Sequence, residues 1–61
     1  LYIVKAVNGH GECYLYIDEM GEASVDVVVF ENEEDASQSA VLYVENHPLD
    51  GVWVEEVRVV Q

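Results

Sequence analysis

Positive charge is almost missing from this chain. Its 61 residues carry 13 Asp and Glu against two Lys and Arg, a formal net charge of −11. Such a surface is repelled by nucleic-acid phosphates and by acidic lipid headgroups, so direct DNA or RNA binding and membrane-surface binding are excluded as first readings. Cysteine is nearly absent too. The single Cys13 has no partner for an intramolecular disulfide and fits a reducing compartment, most simply the cytoplasm. No apolar run approaches the ~18 residues that span a bilayer, and no basic stretch precedes an apolar one as in a secretory leader. The chain opens on Leu1 rather than Met, which fits a trimmed initiator, a longer N-terminus, or a subunit cut from a larger assembly. Nucleophile-elbow, phosphate-loop and dinucleotide-binding glycine patterns are all lacking.

What is present is apolar. Half of the residues (51%) are hydrophobic, which separates the chain from acidic disordered tails and predicts one folded domain over residues 1–61. At this length only ~60% of the unfolded chain's surface is buried, so the core is thin and a deep catalytic pocket has no room. The β-branched run from Tyr2 to Val7 stops at Asn8-Gly9-His10-Gly11, a turn signal. Glu12 to Asp18 alternates, with Cys13, Leu15 and Ile17 on one face and Tyr14, Tyr16 and Asp18 on the other. A turn through Met20 and Gly21 leads to a third predicted strand, Ser24 to Phe30, with Val25, Val27 and Val29 directed to the core. Asn32 stands where a helix cap belongs, followed by acids favoured at the positive end of a helix dipole. The helix stripe is then Ala36, Ala40, Tyr43 and Val44, and Pro48 ends the element. Val52 to Val60 reads as a last strand whose valines change phase, which predicts a bulge near Glu55-Glu56. The expected fold class is α+β, in the chain order β-β-β-α-β. It is a small antiparallel sheet of three to four strands with one helix packed on one face.

Two groups of side chains are candidate contact residues. Glu31, Glu33, Glu34 and Asp35 are the densest acidic cluster, and Glu45, Glu55 and Glu56 extend it if the helix end and the last strand are neighbours. As a solvated first turn they need no partner; as a fixed anionic ridge they imitate spaced phosphates. Tyr14, Tyr16 and Trp53 belong to residue types enriched at interface hot spots, and on an uncovered sheet face they also serve as cross-strand packing. His10-x-x-Cys13 and His47 give only one His/Cys pair, short of the four ligands of structural zinc, and no acid run follows the calcium-loop spacing. No metal, cofactor or catalytic residue is expected. Adjacent strand carboxylates such as Glu55 and Glu56 point to opposite faces and cannot flank one bond unless the bulge redirects them.

The stretch Val25 to Phe30, the cap Asn32, the alanines Ala36 and Ala40, then Gly51, Val54, Val57 and Arg58 together resemble the short early proteins of T7-like phages that inhibit bacterial RNA polymerase. The likeness spans residues 25–59 and extends more loosely to small acidic phage proteins that disable host machinery. In that family the last strand carries two functional arginines two positions apart. Here Arg58 matches the second and Glu56 occupies the first position. The resemblance implies a host-takeover inhibitor acting in the bacterial cytoplasm, with Arg58 at the contact.

Taken together these features predict a non-enzymatic acidic binding protein. Its partner is a basic, nucleic-acid-binding surface of a larger protein such as RNA polymerase, a nuclease or another defence enzyme. In effect it is a DNA mimic. Glu31, Glu33, Glu34, Asp35, Glu55 and Glu56 supply the field, while Arg58, Tyr14, Tyr16 and Trp53 supply specificity. The alternative is an assembly module that forms a homodimer through a sheet edge or the tyrosine face, its charge serving only solubility.

Overall fold

The computed structural model describes residues 1–9 and 14–58, with Tyr14 and Leu15 described through their backbone only. Five elements follow one another: β1 (Tyr2–Val7), β2 (Tyr14–Ile17), β3 (Ala23–Ser24), α1 (Glu33–Asn46) and β4 (Gly51–Glu56). The strands form one antiparallel sheet in the order β3-β2-β1-β4, with α1 across one face, so the fold is α+β. β1 is central. Lys5, Ala6 and Val7 pair with Tyr16, Leu15 and Tyr14, while Tyr2 through Val7 pair with Glu56 through Gly51. Residues directly opposite share a face. Tyr2, Val4, Ala6, Ile17, Val52 and Val54 therefore meet the helix, and Ile3, Lys5, Tyr16, Trp53 and Glu55 occupy the other face. The core is Val4, Ala6, Ile17, Phe30, Ala36 and Tyr43, with Tyr2, Val28, Ala40, Val52 and Val54 packed around it. Burying each large side chain of this set stabilises the fold by roughly 1.5–3 kcal/mol.

The third strand is much shorter than its valine pattern predicts. The Ser24 hydroxyl accepts the Asp26 N–H at 3.1 Å, and this local bond takes an amide that a strand ladder needs. The chain then leaves the sheet. Val25, Val27 and Val29 are 85%, 59% and 49% exposed, not core; Val28 and Phe30 turn inward instead. The sheet is regained only at Phe30, which exchanges two backbone bonds with Tyr2 (2.8 and 2.7 Å). No bulge interrupts β4 either: its pairing with β1 runs unbroken from Gly51 to Glu56, and the Val57 amide continues it onto the Leu1 carbonyl at 2.8 Å. Val52 and Val54 face the helix as expected, whereas Val59 lies outside the described residues.

The helix also sits differently on the sheet. Its buried residues are Ala36, Ser39 and Tyr43, a stripe rotated from the expected one, and Val44 faces out. Ser39 is tolerated in the core because its hydroxyl donates to the Asp18 carbonyl, which removes the penalty of a buried polar group. Asn32 holds the cap position with extended backbone but makes no side-chain cap bond; its amide donates to the Asp35 carboxylate at 3.2 Å instead. At the other end the His47 amide closes the last turn onto Tyr43 and Val44 carbonyls, and Pro48 follows. The β2–β3 turn is tied by the Asp18 carboxylate, which accepts the amides of Met20 and Glu22, both at 2.9 Å. Gly21 there has φ +77°, and a Cβ on it would lie 2.6 Å from the Leu42 Cβ. Among the described residues no helix is long and apolar enough to cross a membrane.

Two substitutions separate this arrangement from the sequence pattern. Val25→Ser, a core lesion if the third strand were full length, is expected to change unfolding free energy by no more than ~0.5 kcal/mol. Gly21→Ala is expected to destabilise by at least ~1–2 kcal/mol, from its left-handed backbone alone. Urea unfolding followed by circular dichroism measures both.

Candidate docking surfaces

The acidic cluster lies on the first turn of α1 and the residue-31 approach to it. Glu31, Glu33, Glu34 and Asp35 are all exposed. Antiparallel pairing of β4 with β1 sets Glu56 opposite Tyr2, and the Tyr2 hydroxyl donates to the Glu56 carboxylate at 3.4 Å. The Tyr2 hydroxyl has its pKa raised, first by partial burial and then by the negative charges of Glu56 and Glu33. Both carboxylates thus act on one phenol, which puts the helix start and the end of β4 at the same end of the molecule. Glu31, Glu33, Glu34, Asp35 and Glu56 form the anionic end. Glu45 belongs elsewhere: twelve helical residues from Glu33, it lies roughly 18 Å along the axis.

Glu55 points to the opposite face from Glu56. One carboxylate oxygen accepts the Trp53 indole N–H at 2.8 Å, and the other lies 3.4 Å from the Lys5 ammonium. The Trp53 bond and the Lys5 charge hold the Glu55 carboxyl below its ordinary value of 4.5. Lys5 pairs with Tyr16 on one side and Trp53 on the other, so a basic side chain stands between two aromatic positions in one cross-strand row. This is the face free of the helix, and it joins Tyr16 to Trp53 as the alternation of the strands predicts. The Tyr14 side chain lies outside the described residues. Glu55 is therefore part of an aromatic, largely neutralised face and separate from the anionic end.

Lys5 was not legible as a site residue from composition. Its signal lay in the odd-numbered positions of β1, which share a face with Tyr16 once the hairpin register is set. Arg58 is exposed just beyond β4. A further exposed apolar set, Met20, Val25, Val27, Val41 and Leu42, follows from the early end of the third strand and the rotated helix.

At the far end of α1 the Tyr43 hydroxyl donates to the Asp50 carboxylate at 2.6 Å, and its ring stacks on His47 with centroids 4.4 Å apart. Burial, then the Asp50 bond and charge, push the Tyr43 pKa up to about 12. This is a clasp between the helix end and the start of β4. Among the described residues no group of three or more His, Cys, Asp or Glu side chains is placed to hold a metal ion; His10 and Cys13 fall outside them.

Two pH measurements test these contacts. A raised tyrosine pKa means that the fold favours the neutral phenol. Its contribution to stability is then complete below the ordinary value of 10 and is lost as pH rises through about 12. Tyr43→Phe is expected to remove this alkaline loss while destabilising the protein at neutral pH by about 1–3 kcal/mol, because Asp50 loses its donor. At acid pH, Trp53 fluorescence is expected to titrate with a midpoint below 4.5, and Glu55→Gln to abolish that transition. Comparison of the chain with protein-family models, with curated proteins and with solved structures found no match.

Proposed function

We propose that this chain is a non-enzymatic acidic binding protein that docks on a basic, nucleic-acid-contacting surface of a larger protein and occludes it. The observation that carries this reading is the gathering of Glu31, Glu33, Glu34, Asp35 and Glu56 at one end of a molecule with net charge −11. The helix start and the strand end fix where these carboxylates leave the backbone. Their summed field steers a cationic partner and raises the association rate. Specificity then comes from other contacts: Arg58 just beyond β4, and the separate face carrying Tyr16, Trp53 and Lys5. A phage-type inhibitor of a host polymerase, nuclease or defence enzyme is the finer form of the proposal. It rests on the sequence resemblance and on a surface chemistry suited to basic nucleic-acid channels.

Self-association is a second reading, favoured by the outer edge of β4, which no described element pairs with in the sheet order β3-β2-β1-β4. A net charge of −11 on each copy opposes it.

Glu33→Gln combined with Glu34→Gln is expected to alter stability by no more than ~0.5 kcal/mol, since both side chains are exposed. Capture of basic proteins from a bacterial lysate by the immobilised chain is expected to weaken with the double substitution and with rising ionic strength, as screening shortens the field. Capture unaffected by both treatments would sink the reading.

A further inference from the structure

The outer edge of β4 is built to accept a strand. It is terminal in the sheet, six residues long and regular, with the sequence Gly-Val-Trp-Val-Glu-Glu. Edge strands are commonly protected by proline, lysine, a bulge or a covering element. β4 contains neither proline nor lysine, its register with β1 is unbroken, and no described element pairs with its outer side. The Val57 amide donates to the Leu1 carbonyl, which sets the phase of the ladder. Odd-numbered residues of β4 turn their backbone groups toward β1, and Val52, Val54 and Glu56 turn theirs outward. These same three residues direct their side chains to the helix side of the sheet, where Val52 and Val54 are only partly buried and Glu56 joins the anionic end.

We infer that β4 recruits an extended basic segment of the partner protein as an additional antiparallel strand. The inference rests on the acidic-binder reading and specifies how the partner is held. The geometry dictates the pattern of the guest. A Lys or Arg lies opposite Glu56, within the field of Glu33, and apolar residues lie opposite Val54 and Val52, spaced by two along the guest strand. Main-chain bonds to the three outward residues hold the guest, and the alternate side chains select it. The glutamates give the edge its direction of choice: they attract a cationic strand and disfavour a second copy of this chain.

A capped synthetic peptide, Ser-Lys-Thr-Val-Thr-Val-Ser, supplies the test, with a control in which Gln replaces Lys. In a nitrogen–proton correlation titration of the intact chain, the lysine peptide is expected to shift the amides of Val52, Val54 and Glu56 most. Val54→Pro removes an outward donor where an edge strand tolerates proline and is expected to weaken binding at least about tenfold. Circular dichroism checks that its fold is kept. Glu56→Lys leaves the backbone edge intact and is expected to lose the preference for lysine over glutamine. Shifts confined to Glu33, Glu34 and Asp35, or full binding by a folded Val54→Pro variant, would overturn strand addition and leave the basic-partner reading standing. Equal binding of both peptides to the unsubstituted chain would overturn the charge requirement. A β4-to-β4 homodimer, detected by light scattering, would overturn the choice of occupant.

Discussion

β1 is hydrogen-bonded along both edges, and the rest of the molecule is organised by that fact. Its inner residues, Val4 and Ala6, are almost completely buried at 0% and 1% exposure, beneath a helix brought close by Ala36. A two-layer fold of this size has few such residues, so each contact to β1 carries a large share of the stability. The same strand distributes the chemistry. On one side it positions Lys5 between Tyr16 and Trp53; on the other it draws Glu56 to Tyr2 and the helix start. The last strand reaches the acidic turn because it runs antiparallel to β1 and ends where β1 begins.

Charge and packing therefore divide between the ends and faces of one small scaffold. The anionic end needs no buried support, because carboxylates at a helix N-terminus are already favoured by the dipole and solvated. The aromatic face is different: there Glu55 is committed to the Trp53 indole and the Lys5 ammonium. Adjacent in sequence, Glu55 and Glu56 have opposite roles because successive strand residues point to opposite faces. The acids that favour a basic partner and the edge that would hold it meet at Glu56, which belongs to both.

Much of the architecture was legible in residue order. The Tyr2–Val7 strand, the acidic helix start and the stop at Pro48 each rest on local preferences that tertiary packing did not override. Where packing did decide, the pattern misled. Val25, Val27 and Val29 alternate as a buried strand does, yet the Ser24–Asp26 bond diverts the chain and Phe30 returns it one phase later. Helical periodicity favoured Val44, which faces out, whereas a buried Ser39 became acceptable only because Asp18 offered its carbonyl from a distant turn. The expected bulge was unnecessary, since β4 needs to keep phase with β1 only as far as Leu1.

Composition and residue order alone settled the negative charge, the single cysteine among these 61 residues and the clustering of acids before Ala36. These are counts and nearest-neighbour facts that no fold can alter. Tertiary structure alone decided which acids stand together, that Glu56 faces Tyr2 while Glu55 faces Lys5, and that of the two edge strands β4 is long, at six residues, while β3 has only two. Such choices depend on strand register and order, which hydrogen bonds between residues far apart in sequence establish and which alternation along a single strand cannot encode.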